Sequence, residues 1–340
     1  MCLQYSYPSI LKDVSFFTIS VSIFTAIEAT MSNLTDNGTT FDALICTTTV
    51  DSKPTLKLLA GFNTVLSITA TMGNILILIA LQKESSLHSP AKLLLRCLTV
   101  TDLCVGIIGQ PLFSLVLIFV VNDSKELCPP ILGFSFLLGI IFFGVSLLTL
   151  TAVSVDRLFA LLLGMRFRQI VTFRRTLAIL VFFWILNVTI AVLSSWNYFV
   201  FLWYGSVLIL SCLLTSVLSY VKIYATLRRQ QNVIQDLCLH GNHGHQNTEQ
   251  APLNIARYKR TVFGTLWIQF ALVCCYLPHW VVTALSTFTG LTPSIVLGWR
   301  FTTTVVYMNS SLNPFLYCWK IKEVRQAVKD TIRQCCCLSR

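Results

Sequence analysis

The chain has 340 residues, 55% of them hydrophobic and only 11% charged, with 25 Lys and Arg against 14 Asp and Glu and a net charge of +11. A soluble domain carries about 25% charged residues, so this composition excludes a water-soluble globule and makes the bilayer the natural solvent. The positive charge is also no sign of nucleic acid, because its placement follows the membrane topology described below.

Residues 1–56 form a tail. Its stretch VSFFTISVSIFTAI (14–27) has the apolar core of a secretory signal, but Asp13 precedes it and only Lys12 flanks it, and it is too short for a span. Three readings stand: a cleaved signal, a chain that starts at Met31, or a retained tail. Asn33 and Asn37 open glycosylation sequons, NLT and NGT. Asn122 opens another in a later link. Asn187 has the same pattern inside an apolar segment, where no glycosyltransferase reaches.

A helix needs roughly 20 mostly apolar residues to cross the hydrocarbon core. Seven segments qualify: 57–81, 93–119, 131–157, 176–196, 199–224, 261–287 and 296–318. With these spans placed, 20 of the 25 Lys and Arg fall in the links on one side, and only Lys12, Lys53, Lys57, Lys125 and Arg300 fall on the other. That asymmetry puts the richer side in the cytosol, where it also suits anionic lipid or an acidic partner. The expectation is an all-α membrane protein, a seven-transmembrane helix bundle over 57–318. The tail 1–56 would lie outside and a cytosolic segment, 319–340, inside. The long fifth link carries HGNHGH (240–245); with no cysteine pair at metal-site spacing it reads as a flexible loop.

Polar groups inside lipid are costly, about 2.5–3.5 kcal/mol for an acid at the centre of a span. Asp102 lies in mid-span, and Asn74, Ser146, Asn309, Ser310 and Asn313 supply further polar groups. Asn309, Asn313 and Tyr317 are spaced by four and share a helix face. Pro314 removes a backbone N–H and frees a carbonyl near 310 for water or a side chain. From residue types alone, this cluster is either a site for a small hard cation held by oxygens or polar glue between helices. Pro278 kinks the sixth span beside Tyr276, as a lever or as a static bend. Asp156 and Arg157 close the third span after a run, 131–155, without a single charge.

Taken together, GN at 73–74, LTVTD at 98–102, VSVDRL at 153–158, Trp184, Tyr220, CYLP at 275–278 and NPFLY at 313–317 resemble the rhodopsin-like G-protein-coupled receptors. The resemblance runs from about 57 to 334. It implies a receptor that turns binding of an extracellular ligand into activation of a heterotrimeric G protein at the plasma membrane, with arrestin as a further partner. It implies no enzyme activity. Asp156 and Arg157 match the family's switch, in which the acid holds the arginine at rest and the arginine later turns toward Tyr220 and Tyr317. Pro314, Tyr276 and Pro278 belong to the same machinery, with Tyr276 where a tryptophan is usual. Asp102, Ser146, Asn309 and Asn313 match the family's sodium site. WKIKEVRQAVKDTIRQ becomes a short amphipathic helix on the inner leaflet, with Cys335, Cys336 and Cys337 as palmitoylation sites.

The sequence departs from the family in several places. DRL replaces DRY, and no acid lies near Tyr258 to lock Arg157, which implies raised ligand-free signalling. The usual disulfide to the second outer loop is missing, since no cysteine occurs between 129 and 211. The remaining cysteines expected outside are Cys46 and Cys2, so a Cys46–Cys128 bridge pinning the tail over the pocket is expected. The short fourth link and the proline-free fifth span are similar, more loosely, to the melanocortin, cannabinoid, lysophospholipid and adenosine receptors.

The third span has no acid between 131 and 155, which argues against amines, and no lysine occurs from 296 to 318 to bind retinal. His279, Trp280, Trp299, Arg300, Tyr307 and Trp203 are the expected ligand contacts. They suit a lipid acid, an apolar small molecule or a peptide carboxylate. A receptor that no longer couples and a transporter are the competing readings. The transporter would call for internal repeats and broken helices, which this sequence lacks.

Overall fold

The structure is a computed structural model that describes residues 45–47, 52–83, 89–124, 126–196, 198–240, 270–286, 288–290, 292–320 and 322–338. Among these residues there is no strand, and the regular elements are helices: α1 (Lys53–Lys83), α2 (Ser89–Val121), α3 (Cys128–Leu163), α4 (Phe173–Trp196), α5 (Tyr198–His240), α6 (Phe270–Ser286), α7 (Pro293–Lys320) and α8 (Lys322–Leu338). Each expected span falls on one of α1 to α7. The first part of the sixth span, 261–269, lies outside the described residues. In lipid every backbone polar group must find a partner within the chain, which is why long charge-poor segments become helices.

Local chemistry sets the ends. α3 opens on Cys128-Pro129-Pro130, where the missing N–H groups of proline cost nothing, and it stops at Gly164, whose φ of 50° suits a residue without Cβ. Before α7, the Thr292 hydroxyl accepts from the Ile295 N–H at 3.3 Å, ahead of Pro293 in the first turn. α4 and α5 are separated by position 197 alone, because most of the expected SSWNY link is helical.

α2 is not uniform. Val105–Gly109 forms a π turn ahead of Pro111. Pro111 has no N–H to give the carbonyl four residues back, and the chain widens there. Hydroxyls from neighbouring helices reach the turn: Ser67 of α1 donates to the Gly106 carbonyl at 2.7 Å, and Tyr307 of α7 to the Gly109 carbonyl at 3.2 Å.

The bundle turns its apolar side chains outward as well as inward. On α1, Leu58, Phe62, Val65 and Met72 are exposed while Asn63 and Asn74 are buried, the reverse of a soluble helix and the arrangement lipid favours. Among the described residues the buried core has two large clusters and a small third, Leu158 with Ile223. One, at the Cys128 end, includes Leu56, Phe113, Leu117, Leu132 and Tyr307; the other, toward the Arg157 end, includes Leu98, Leu147, Leu150, Leu272 and Tyr317. α8 joins the second through Val324, Ala327 and Val328, on a stripe spaced by three and four that faces α1. Cys335–Cys337 fall in the last turn of α8.

Candidate functional site: a polar axis and an apolar cavity

Asp102 of α2, Ser146 of α3 and Asn309 and Asn313 of α7 are all buried in the bundle. Asn313 Nδ2 donates to Asp102 Oδ2 at 2.7 Å, joining α2 to α7. Asp102 Oδ1, Ser146 Oγ, Asn309 Oδ1 and Asn313 Oδ1 are left buried without a hydrogen-bond partner among the described residues. Beside them, Asn74 Nδ2 donates to the Ser310 carbonyl at 3.1 Å. That is the carbonyl that Pro314 deprives of its N–H, so the partner expected from the sequence is the asparagine of the GN pair. Gly73 makes the approach feasible, since a Cβ there would lie 2.9 Å from Pro314 Cγ. One carboxylate surrounded by neutral oxygens is the donor set of a hard monovalent cation. Among the described residues no group of three His, Cys, Asp or Glu could hold a transition metal.

Farther along the bundle Asp156 is buried and Arg157 half-buried. Arg157 Nε, Tyr220 OH and Tyr317 OH are all buried without a hydrogen-bond partner among the described residues. Position 258 lies outside the described residues.

Toward the Cys128 end, α3, α5, α6 and α7 surround a cavity with Phe113 of α2. Its wall includes Leu132, Ser135, Phe136, Gly139 and Phe143 of α3, Phe201, Tyr204 and Gly205 of α5, Tyr276 and His279 of α6, and Trp299, Thr303 and Tyr307 of α7. Among the described residues no charged side chain lines it. Tyr307 anchors the floor between Phe113 and Phe143, with ring centroids 5.4 and 4.8 Å away. His279 Nδ1 lies 3.2 Å from the Thr302 hydroxyl and its ring packs near Trp299.

Of the ligand contacts expected from the sequence, His279, Trp299 and Tyr307 line this cavity and three others do not. Trp203 is 63% exposed on the outside of α5, where an amphipathic ring meets the membrane interface. Trp280 turns to α5, its Nε1 donating to the Ser206 carbonyl at 3.1 Å. Arg300 is 2% exposed and donates to backbone carbonyls of Ile45 and Thr47. The sequence reading missed Phe136 and Thr303, because an apolar run gives no sign of which residues face a cavity.

Cys46 and Cys128 are joined by a disulfide, with Cα atoms 5.9 Å apart. It is the pairing expected above. Asn33 and Asn37 lie outside the described residues. Pro278 lies in α6 between Tyr276 and Trp280.

Residues 73–200 and 193–317 match the family described as 7 transmembrane receptor (rhodopsin family). The chain belongs to that family, and it is a multi-pass membrane receptor, not an enzyme. Membership implies an extracellular ligand and a G protein as its partners. Among individual proteins it is similar to human adenosine receptor A2a, 23% identical over 79% of this chain and 70% of the relative. Sheep adenosine receptor A3 is 22% identical over 78% and 86%. Rat trace amine-associated receptor 8b is 26% identical over 81% and 85%.

Proposed function

We propose that this receptor answers to an uncharged, largely apolar ligand, a lipid or a small molecule, seated between α3, α5, α6 and α7. The observation that carries the reading is a cavity wall without a charged side chain among the described residues, in which Ser135, Tyr204, His279 and Thr303 supply a few orienting polar groups. An amine needs a carboxylate partner and the α3 wall has none; the names of the trace-amine relatives describe those proteins. A ligand carboxylate loses its expected anchor too, because Arg300 is engaged with the tail.

The test uses second-messenger output in cells expressing the full chain, screened against neutral apolar compounds. Gly205 lines the cavity and a Cβ there meets nothing within 4 Å. Gly205→Phe should therefore fill the cavity and abolish the response. Gly205→Ala should keep it and gain up to about 1 kcal/mol from the removed helix-interior glycine. Hits that are cations or anions, with potency unchanged in Gly205→Phe, would sink the reading.

The signal path in this proposal runs through Arg157, Tyr220 and Tyr317 to the G protein, with Tyr276 and the Pro278 bend as the moving part and arrestin as a second cytosolic partner. Because the switch reads DRL and the sequence places no acid near Tyr258, ligand-free output is expected above that of Arg157→Ala at equal surface level; equal outputs would refute raised basal activity. Asp102, Ser146, Asn309 and Asn313 fit sodium by their orphaned oxygens, and a bound ion would supply charge compensation to Asp102. The tail is assigned to the outside, with sugars on Asn33 and Asn37, and α8 to the cytosol, with acyl chains on Cys335, Cys336 and Cys337. Glycosidase and hydroxylamine mobility shifts, lost in the Asn→Gln and Cys→Ser variants, check both.

A further inference from the structure

Among the described residues no acid is paired with Arg300. It stands about two turns into α7, almost wholly buried. Its Nη2 donates to the Ile45 carbonyl and, at 3.1 Å, to the Thr47 carbonyl. Its Nε is buried without a partner. Between those two carbonyls sits Cys46, bonded to Cys128 at the first residue of α3. Ile45, Cys46 and Cys128 are all buried, in one cluster with Leu56, Leu132 and Val296.

We propose that Arg300 is a positioning residue whose partner is the receptor's own N-terminal tail. With the Cys46–Cys128 bond it forms a two-point clamp in which Ile45–Thr47 straps the end of α3 to the end of α7. A buried guanidinium needs compensation for its lost hydration, and the two Nη2 protons find it in two carbonyls two residues apart. Neither point suffices by itself: the disulfide fixes the strap only to α3, and Arg300 fixes it only to α7. Both helices wall the cavity, through Leu132, Ser135 and Phe136 on one side and Trp299, Thr303 and Tyr307 on the other. Arg300 thus sets the spacing of the two walls through the strap and makes no contact of its own with the ligand.

The experiment follows the reduction of Cys46–Cys128 in the purified full chain by a water-soluble phosphine, read by mass spectrometry after alkylation. The buried sulfurs react only when the strap lifts. Losing charge-assisted hydrogen bonds should make Arg300→Gln react roughly ten-fold faster or more, with Arg300→Lys, which keeps the charge, in between. Equal rates in all three proteins would overturn the proposal. If Arg300→Gln cannot be purified, the comparison of Arg300→Lys with the unaltered chain decides in the same way.

A melting-temperature cycle with Cys46→Ser gives a second, independent reading. Arg300→Gln should lower the melting temperature when the strap is intact. In the Cys46→Ser background, where a released strap leaves the guanidinium buried and unpaired, it should be neutral or stabilising. The same loss in both backgrounds would place the partner of Arg300 elsewhere. Neither readout depends on a ligand, so failure here leaves the apolar-ligand proposal standing, and the reverse also holds.

Discussion

At the scale of single residues, a hydrogen in place of a methyl decides how α3 meets α4. A Cβ on Gly144 would fall 1.7 Å from Asn187 Oδ1, so the side chain of Asn187 occupies the space a larger residue would take. Asn187 is tied there by two bonds: its Nδ2 donates to the Phe183 carbonyl at 2.8 Å, and it accepts from Tyr204 OH of α5 at 3.0 Å. Gly144→Ala should destabilise the receptor by about 1–3 kcal/mol, the usual cost of overpacking, seen as a lower melting temperature. Adding Asn187→Ala should recover part of that loss, because it clears the clash at the expense of the Tyr204 bond. A double variant no better than Gly144→Ala alone would count against the geometry. In the sequence Asn187 showed only as a sequon out of reach of glycosylation, since nothing local tells which glycine lies opposite. The carbonyl near 310 was legible because Pro314 announces a missing N–H; its partner, Asn74, comes from 236 residues away and no spacing rule reaches that far.

At the scale of elements, apolar length placed all seven spans but was blind to their interior. In α2 the π turn over Val105–Gly109 lies within a continuous apolar run, and hydrophobic spacing does not register a widened backbone. Its signal was the string GIIGQP, two glycines and a proline in a helix. α8 was legible for the opposite reason: an amphipathic stripe in a charged segment stands out. Val328 is buried in the cluster shared with Ile77, Ala80 and Leu81 of α1, so Val328→Asp removes roughly 1.5–3 kcal/mol of burial and sets a charge against an apolar face. α8 should then detach while α1 to α7 stay folded. Hydrogen exchange would show protection lost from 322–338 alone. Protection unchanged in α8 would mean that lipid, not α1, holds it.

At the scale of the whole molecule, the outward apolar faces are matched by polar groups gathered on the inside, and their orphaned oxygens are the largest unbalanced feature of the bundle. Asp102 is wholly buried, yet one of its oxygens has no hydrogen-bond partner among the described residues, and a buried group of that kind costs free energy until something compensates it. Asn313 covers the other oxygen, which fixes α2 against α7 but leaves the compensation half done. A cation that binds only the folded bundle stabilises it by mass action, about 1.4 kcal/mol at ten times its dissociation constant. Exchanging potassium for sodium at constant ionic strength should therefore raise the melting temperature of the purified receptor in a saturable way. Asp102→Asn, which removes the charge and keeps the shape, should abolish the sodium response without unfolding the protein. Asn309→Ala should weaken it, since one neutral oxygen is lost from the set. A rise of equal size in the Asp102→Asn variant would assign the effect to salt acting on the surface, and the buried oxygens would then be polar glue between α2, α3 and α7.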